Sequence, residues 1–404
     1  MTDQALSGVK VLDLTWHMAG PYCTKLLADY GADVIKVERP GSGDPARSMG
    51  PFFKDDPHHE KSGLFLHLNT SKKSITLNLK SETGVKIFKE LVKDVDILVE
   101  SFSPRVMPSL GLSYEEQKKL NPRLVMTSIS NFGQTGPYRD YKATEMVSQA
   151  MGSLMYITGQ PDREPLKIGG SQAQYSAGVS AFLTTLGALY GQEQMGLGQH
   201  VDVSVMECLI NASETVDTWY SAFGAIQGRR WYRYILGFLV DVYDAKDGYL
   251  LLGASGVAGT GMPKIPLLVD RPELIEHPYF RADDPRARMA ASDEEFDALI
   301  NPYFKEHTKM EIAEKAQELR MSTGPVQTTQ ELVNSPQLKA RGYFGEIEHP
   351  VVGKLAYPGM PLVMSETPHR WGRAPLLGEH NEEVYGHLGY TRGDLVKLRE
   401  RGVI

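Results

Sequence analysis

The chain is poor in cysteine: only Cys23 and Cys208 occur among its 404 residues. Two cysteines cannot build a disulfide framework or a thiolate metal site, and they fit a reducing, cytoplasmic setting best. No stretch approaches the roughly 20 uninterrupted apolar residues of a membrane span. The opening residues MTDQALSGVKVLDL also lack the basic and apolar regions of a signal peptide. We therefore expect a protein with no membrane partner and no bound metal.

Positive charge is not in excess either. Lys and Arg total 43 against 50 Asp and Glu, which gives a net charge of −7. This balance excludes an overall nucleic-acid-binding surface, although it is compatible with a local basic pocket. Hydrophobic residues make up 41%, enough to bury a sizeable core, and at about 150 residues per domain the length predicts two or three domains.

The common catalytic signatures are absent as well. The sequence contains no GxGxxG after its first apolar run, no Walker A loop, no HExxH, no CxxC pair and no GxSxG. Zinc-dependent and nucleotide-hydrolysing activities therefore have little support.

Short apolar runs alternate with helical segments along the first 205 residues. Strands are predicted at Val9–Leu14, Val34–Glu38, Ile75–Leu79, Asp96–Glu100, Leu124–Ile129 and His200–Val205. Helices are predicted at Pro21–Tyr30, Gly84–Val92, Glu145–Met155 and Tyr175–Gln194. The small residues of the last helix indicate close packing against a neighbouring helix or sheet. This alternation predicts a parallel, doubly wound α/β sheet.

Several motifs follow one another in a distinctive order. They are TWHMAGPYCTKLLADYGADVIKVERPGSGDPAR, NTSKKSITLNLKS, VDILVESFSP, LNPRLVMTSISNFGQTGPY, GLGQHVDVSVME and APLLGEHNEEV. Together they resemble the family III CoA-transferases, which include formyl-CoA transferases and α-methylacyl-CoA racemases. The resemblance implies a large Rossmann-like domain formed by residues 1–220 and 326–404, an inserted smaller α+β domain at 221–325, and an interlocked dimer.

The same resemblance implies that CoA or an acyl-CoA is a substrate and that no cofactor is bound permanently. CoA carries phosphates and an adenine ring, so it needs cations, backbone N–H groups and apolar walls. The positions matching the family's CoA contacts are Met18, Ala19, Arg39, Asn69, Lys72, Phe102 and Lys142. We expect Arg39 and Lys72 to contact phosphate.

Family transferases use an aspartate, in the pattern Asp-aromatic-x-x-Gly, as the nucleophile that attacks the thioester. Here the matching segment is QYSAG, so Gln174 stands at the nucleophile position. No Asp or Glu occurs between Lys167 and Gln192 to replace it. A neutral amide cannot form the same acyl intermediate, so we expect no catalytic residue at this position.

Three functional hypotheses follow. In the first, the chain is the non-catalytic subunit of a heteromeric transferase, with a homologous catalytic subunit as partner. The two-subunit succinyl-CoA:(R)-benzylsuccinate CoA-transferases are one such system. In the second, it is a self-sufficient CoA-ester isomerase or lyase that uses Glu145 or His17. In the third, it is a CoA-ester-binding scaffold. An alternative role for Glu145 is to accept hydrogen bonds from a nearby helix N-terminus.

Overall fold

The computed structural model describes residues 4–213, 216–229, 234–235, 238–253, 261–280, 293–370 and 372–404. For residues 216, 217, 234, 235, 238, 239 and 293 it describes the backbone only. The chain divides into two compact units. Unit 1 comprises residues 1–159, 164–228 and 342–404, and unit 2 comprises residues 160–163 and 229–341. Most of the glycine-rich segment 253–261 lies outside the described residues.

Twelve strands and seventeen α-helices are described. The strands are β1 (Lys10–Leu14), β2 (Asp33–Glu38), β3 (Lys73–Thr76), β4 (Ile97–Glu100), β5 (Val125–Ser130), β6 (His200–Ser204), β7 (Tyr234–Ile235), β8 (Phe238–Ala245), β9 (Gly248–Gly253), β10 (Ser322–Pro325), β11 (Phe344–His349) and β12 (Gly353–Pro358). The helices are α1 (Ala19–Asp29), α2 (Gly63–Leu68), α3 (Glu82–Val92), α4 (Val106–Ser109), α5 (Tyr114–Leu120), α6 (Glu145–Met151), α7 (Leu154–Ile157), α8 (Gln172–Met195), α9 (Val205–Asn211), α10 (Val216–Phe223), α11 (Ile265–Leu268), α12 (Asp293–Glu306), α13 (Lys309–Glu318), α14 (Thr329–Asn334), α15 (Pro336–Ala340), α16 (Asn381–His387) and α17 (Arg392–Glu400).

A six-stranded sheet forms the centre of unit 1. Its strand order is β3-β2-β1-β4-β5-β6, and every neighbouring pair is parallel. The predicted parallel, doubly wound sheet is therefore confirmed. The order reverses between β1 and β4, and open α/β sheets bind ligands beyond the carboxyl ends of the strands at such a point.

Both faces of this sheet are buried. Successive side chains of a strand point to opposite faces, so neighbouring residues belong to different cores. Leu12 belongs to a core that includes residues of α3, α16 and α17. Its neighbour Val11 belongs to a second core, which includes residues of α1, α8 and α9. The apolar runs that predicted the strands are thus explained by burial on both sides.

Small residues bring α8 close to α1, as predicted from the sequence. Ala173, Ala177 and Ala181 are buried in the shared core. A Cβ atom added to Gly178 would lie only 2.8 Å from the carbonyl oxygen of Ala19. The two helices can therefore pack at this distance only with glycine at position 178.

Residues near the end of the chain complete the β3 edge of unit 1. The Tyr385 hydroxyl donates to the carbonyl of Thr76 at 2.7 Å, and the Asn381 side-chain oxygen accepts from the N–H of Thr76 at 2.9 Å. Val403 and Ile404 are buried in the core. Residues 342–404 also form the antiparallel pair β11–β12.

Unit 2 contains an antiparallel sheet of order β10-β9-β8-β7. Leu250 and Leu252 of β9 are buried with Phe296 and Ile300 of α12 and Ile312 of α13. The alternate strand residues Tyr249 and Leu251 are exposed. This one-sided burial is typical of an antiparallel sheet covered by helices on one face.

None of the helices in the described part of the chain combines the length and the apolarity that a bilayer crossing requires.

Buried charges link β1 and β2 to the loops that follow them. The Lys36 ammonium lies 2.8 Å from Asp44 Oδ2 and 3.9 Å from Asp13 Oδ2, and it donates to the carbonyl of Thr15 at 2.7 Å. Burial alone would raise the pKa of the Asp13 carboxyl, but Lys36 and Lys72 lower it to about 2. These side chains are inaccessible to water, so each charge depends on its partners.

We predict that Lys36→Met lowers the free energy of unfolding by about 3–5 kcal/mol, because it leaves the buried Asp44 carboxylate without its cation. Lys10→Met is the matched control on the adjacent strand. Lys10 pairs with Asp94 at the surface, so its replacement should cost less than about 1 kcal/mol. Urea unfolding of both variants measures the difference. Equal losses in the two variants would contradict the role assigned to the buried charges.

Candidate functional site

Two cavities open at the carboxyl ends of the central strands, where the strand order reverses. The small cavity has a volume of about 370 Å³ and the large cavity about 930 Å³. Both are lined by the loops that follow β1 and β4, including Trp16 and Phe102. The N–H of Trp16 donates to Ser101 Oγ at 3.0 Å, and the two aromatic rings meet edge to face at 4.9 Å. The loops therefore form one wall between the two cavities.

The large cavity combines cations with apolar walls. Arg39 and Lys80 line it together with Leu14, Val37 and Leu77. The Arg39 guanidinium lies 3.9 Å from the centroid of the Trp16 ring, in a cation–π contact. This composition suits an extended molecule with both anionic and apolar parts.

The small cavity contains the first turn of α1 and the start of α8. Met18 and Ala19 line it, as do His17 and Gln174. His17 has a φ of +65°, and its N–H donates to Asp44 Oδ1 at 3.1 Å. The loop that carries His17 is therefore tied to the buried charges described above.

Glu145 holds the N-terminus of α8. Its Oε1 accepts from the N–H of Ala173 at 2.9 Å and from Gln149 Nε2 at 2.6 Å. Its Oε2 accepts from the N–H of Gln174 at 3.2 Å. A carboxylate at this place satisfies helix N–H groups and interacts favourably with the helix dipole. Glu145 thereby fixes the position of residue 174 in the cavity wall.

Two of the predicted CoA contacts lie inside the fold. The Lys72 ammonium donates to Asp13 Oδ2 at 3.1 Å, to the carbonyl of Pro21 at 3.0 Å and to Asn69 Oδ1 at 2.8 Å. Asn69 and Lys72 are both buried, and neither lines the two cavities. Burial lowers the pKa of Lys72 to about 8, although Asp13 opposes this shift. Phosphate contact would require Lys72 to leave its three acceptors.

Lys142, the last predicted contact, lies at the surface beside the cavities. Its ammonium is 3.4 Å from Ser103 Oγ, and Ser103 lines both cavities. Of the seven predicted residues, Met18, Ala19, Arg39 and Phe102 line a cavity, Lys142 lies next to one, and Asn69 and Lys72 are interior.

Sequence reasoning missed a buried carboxyl behind the cavity wall. Glu100 ends β4, and its Oε2 accepts from the N–H of Phe102 at 2.8 Å. Burial raises the pKa of Glu100 to about 7. The nearby Ser128 hydroxyl is 2.9 Å from His200 Nε2. In the sequence, Glu100 differs from a surface residue only by following the apolar run ILV.

A Rossmann-like sheet with two cavities at its switch point is typical of proteins that bind an extended, partly anionic small molecule. A family model described as CoA-transferase family III matches residues 6–381. Formyl-CoA:oxalate CoA-transferase from Streptomyces coelicolor is 34% identical, with 100% of each chain covered. Succinyl-CoA–D-citramalate CoA-transferase from Chloroflexus aurantiacus is 35% identical, with 99% of this chain and 98% of the relative covered.

Among solved structures, a CAIB/BAIF family protein from Brucella suis superposes with a TM-score of 0.84 at 29% identity. The match covers 96% of this chain and 100% of that one. The chain belongs to CoA-transferase family III, and the resemblance stated from its motifs is confirmed.

We predict that Glu100→Gln stabilises the protein by on the order of 1–3 kcal/mol above pH 7 and has no such effect below pH 4. The folded-state pKa of about 7 exceeds an unfolded value of about 4.3. The wild type therefore loses stability as the pH rises between these values, because ionisation inside the fold is penalised. Urea unfolding across this range measures the slope. Glu115→Gln, an exposed carboxyl on α5, is the control, and identical pH profiles for wild type and Glu100→Gln would refute the prediction.

Proposed function

We propose that this chain is the non-catalytic subunit of a heteromeric family III CoA-transferase. The complex would move CoA from an acyl-CoA donor to a carboxylic acid, and a homologous subunit would supply the nucleophile. The observation that carries this proposal is Gln174 in the wall of the small cavity, at the position where the family pattern has aspartate. No carboxylate occurs between residues 167 and 192 to replace it.

The chemistry explains why this position matters. A carboxylate can attack the thioester carbon, expel CoA as a thiolate and form a mixed anhydride that later transfers the acyl group. The glutamine amide is uncharged and a weak nucleophile, so it cannot be acylated and released in the same way. Glu145, the one acidic residue among the described lining residues of the small cavity, already accepts three hydrogen bonds at the start of α8. Because both of its oxygens already accept hydrogen bonds, the alternative in which Glu145 acts as a general acid or base is less favoured.

Relatives support the choice of substrates. The names of similar proteins from Chloroflexus aurantiacus, mouse and Haloarcula marismortui specify succinyl-CoA with D-citramalate, glutarate and mesaconate. We propose succinyl-CoA as the donor and a dicarboxylic acid as the acceptor. The resemblance to two-subunit enzymes makes (R)-benzylsuccinate the first acid to test.

Exposed apolar side chains on α8 support an intimate association with the partner. Val179, Leu183 and Tyr190 are exposed by 47%, 67% and 66%, although this helix also forms part of the core. Large apolar groups in such a row are typical of surfaces that a second chain covers. An interlocked dimer of this chain with its catalytic homologue would cover them.

CoA exchange by this chain should depend on its homologous partner. Expressed alone, the chain should not exchange CoA between succinyl-CoA and a dicarboxylic acid, whereas co-expression with a co-encoded homologue should give an active complex. Replacing the nucleophilic aspartate of that homologue should abolish exchange while this chain remains wild type. Exchange of the two CoA esters is followed by liquid chromatography. CoA exchange by this chain alone, verified by mass spectrometry to be free of any homologue, would refute the proposal.

A carboxylate introduced at position 174 should be acylated. Gln174→Asp should allow an acyl-enzyme to form on this chain, because it restores a carboxylate in the small cavity. Incubation with succinyl-CoA followed by hydroxylamine should leave a hydroxamate at that position, detected by peptide mass spectrometry. Gln172→Asp is the matched control, since it adds the same charge in the same turn of α8 but outside the cavity lining. Equal labelling of both variants, or labelling of the wild type, would contradict the assigned position.

A further inference from the structure

A chain of hydrogen bonds crosses three neighbouring strands behind the wall between the two cavities. The Ser128 hydroxyl of β5 hydrogen-bonds the Glu100 carboxyl of β4 and lies 2.9 Å from Nε2 of His200, the first residue of β6. Glu100 and Ser128 are almost completely buried. The Glu100 carboxyl also accepts the N–H of Phe102 at 2.8 Å. The hydrogen-bond chain therefore extends from β6 to the loop that follows β4.

A third cavity, of about 220 Å³, connects this hydrogen-bond chain with the surface. Glu100, Ser128 and His200 all line it, and so does the exposed Glu115 of α5. None of these residues lines the small or the large cavity. A hydroxyl and a neutral imidazole can each accept one proton while donating another. The buried Glu100 carboxyl can therefore exchange its proton with water through Ser128 and His200.

The surroundings of Glu100 make its charge sensitive to pH. Burial raises the pKa of Glu100 to about 7. The hydrogen bonds from Ser128 and Phe102 oppose this rise, whereas the Asp202 carboxylate adds to it. The titratable groups that face Glu100 or contact its neighbours are Asp202 and His200 of β6 and Tyr114, Glu115 and Lys118 of α5. Among the described residues, β5 and α4 contribute no charged group here.

The hydrogen-bond chain has two arrangements, because the Ser128 hydroxyl carries only one proton. When Glu100 is ionised, Ser128 donates to the carboxylate and accepts from the Nε2–H of His200. When Glu100 is protonated, it donates to Ser128, which then donates to an unprotonated Nε2 of His200. Burial lowers the pKa of His200, which keeps its imidazole neutral at pH 7 in both arrangements. The proton on Glu100 therefore determines the tautomer of His200.

The charge on Glu100 also affects the wall between the cavities. Phe102 packs edge to face on Trp16, and the Arg39 guanidinium lies over the Trp16 ring. A hydrogen bond from an N–H to a carboxylate is roughly twice as strong as one to a neutral acceptor. An ionised Glu100 therefore holds the Phe102 backbone more firmly than a protonated one, and a preorganised wall costs a ligand less to bind.

We propose that Glu100 is a positioning residue that couples protonation to CoA binding. Its ionised form preorganises the wall through Phe102, its protonated form weakens this support, and Ser128 and His200 exchange its proton with water. Because Glu100 lines neither cavity of the candidate site, it touches no reacting atom. The inference goes beyond the proposed function and does not depend on the residue at position 174.

The test measures CoA affinity by isothermal titration calorimetry, on the full-length chain in complex with its homologue where it is purified that way. Only this chain is varied. At about pH 8.5 the wild type should bind CoA about three- to tenfold more tightly than Glu100→Gln, and at about pH 6 the two affinities should converge. The phosphate monoester of CoA titrates in the same range, but its effect cancels because both proteins meet the same ligand.

The number of protons released on binding is a separate measurement. The binding enthalpy in buffers of different ionisation enthalpy gives this number. Near pH 7 the wild type should release a fraction of a proton more than Glu100→Gln, because CoA binding favours the ionised carboxyl. Proton uptake, or tighter binding at the lower pH, would show that the carboxylate repels the anionic ligand, and the positioning role would be refuted.

Stability and affinity should change in opposite directions in Glu100→Gln. This variant is predicted to be more stable than the wild type above pH 7, yet it should bind CoA more weakly there. A role in stability alone would change both in the same direction. Glu115→Gln is the matched control, because it removes an exposed carboxyl from the same third cavity, and it should leave CoA affinity unchanged. Equal losses of affinity in both variants would overturn the proposal.

The role of Ser128 and His200 is tested by nitrogen NMR of the histidine-labelled protein, which distinguishes the two imidazole tautomers. The His200 signals are assigned by their loss in His200→Gln. Their tautomer should change as Glu100 titrates, and Ser128→Ala should abolish this change. A tautomer that stays the same between about pH 6 and about pH 8.5 would contradict the hydrogen-bond chain.

Failure of this inference is distinguishable from failure of the proposed function. CoA exchange by the chain alone refutes the non-catalytic role and leaves the role of Glu100 intact. Absence of CoA binding to this chain at every pH refutes the role of Glu100 and leaves the non-catalytic role intact.

Discussion

Charge buried beneath the carboxyl ends of β1 and β2 is the constraint on which the site depends. Lys36 joins Asp44 and the carbonyl of Thr15, while Glu38 is bound by the buried Arg47. Asp44 in turn accepts the N–H of His17. Desolvated ions of this kind tolerate few geometries, because each needs its partner at close range. They therefore fix the loops after β1 and β2, which supply walls to both cavities.

The other loops and helix starts of the site are held by hydrogen bonds that backbone N–H groups donate to side-chain oxygens. Ser101 ties the β4 loop to Trp16, and Glu145 binds the first N–H groups of α8. These contacts make no use of the side chain at position 174. The architecture of the site is thus independent of the residue that stands at position 174.

The sheet was predictable because its signal is local. Runs such as Val34–Glu38 and Asp96–Glu100 are short, apolar and bounded by turn residues, and both correspond to strands of the parallel sheet. The ends were less predictable: β3 was expected at Ile75–Leu79 and lies at Lys73–Thr76. Main-chain pairing with β2 determines that limit, and pairing partners are remote in sequence.

Site residues were harder to predict for the same reason. Arg39 and Lys72 are both cations next to strands, yet Arg39 lines a cavity and Lys72 is interior. Asp13, 59 residues from Lys72, makes the difference. Position 174 could be recognised, since its motif is contiguous.

The glycine contact between α8 and α1 has an evolutionary consequence. Because Gly178 lets α8 rest against the backbone at Ala19, the distance between the two helix starts is set one turn away from position 174. A substitution at position 174 therefore leaves the packing of α8 against α1 intact. Gene duplication in such a fold can yield a homologous chain that has lost catalysis but keeps the same structure. Selection can then act on its binding alone.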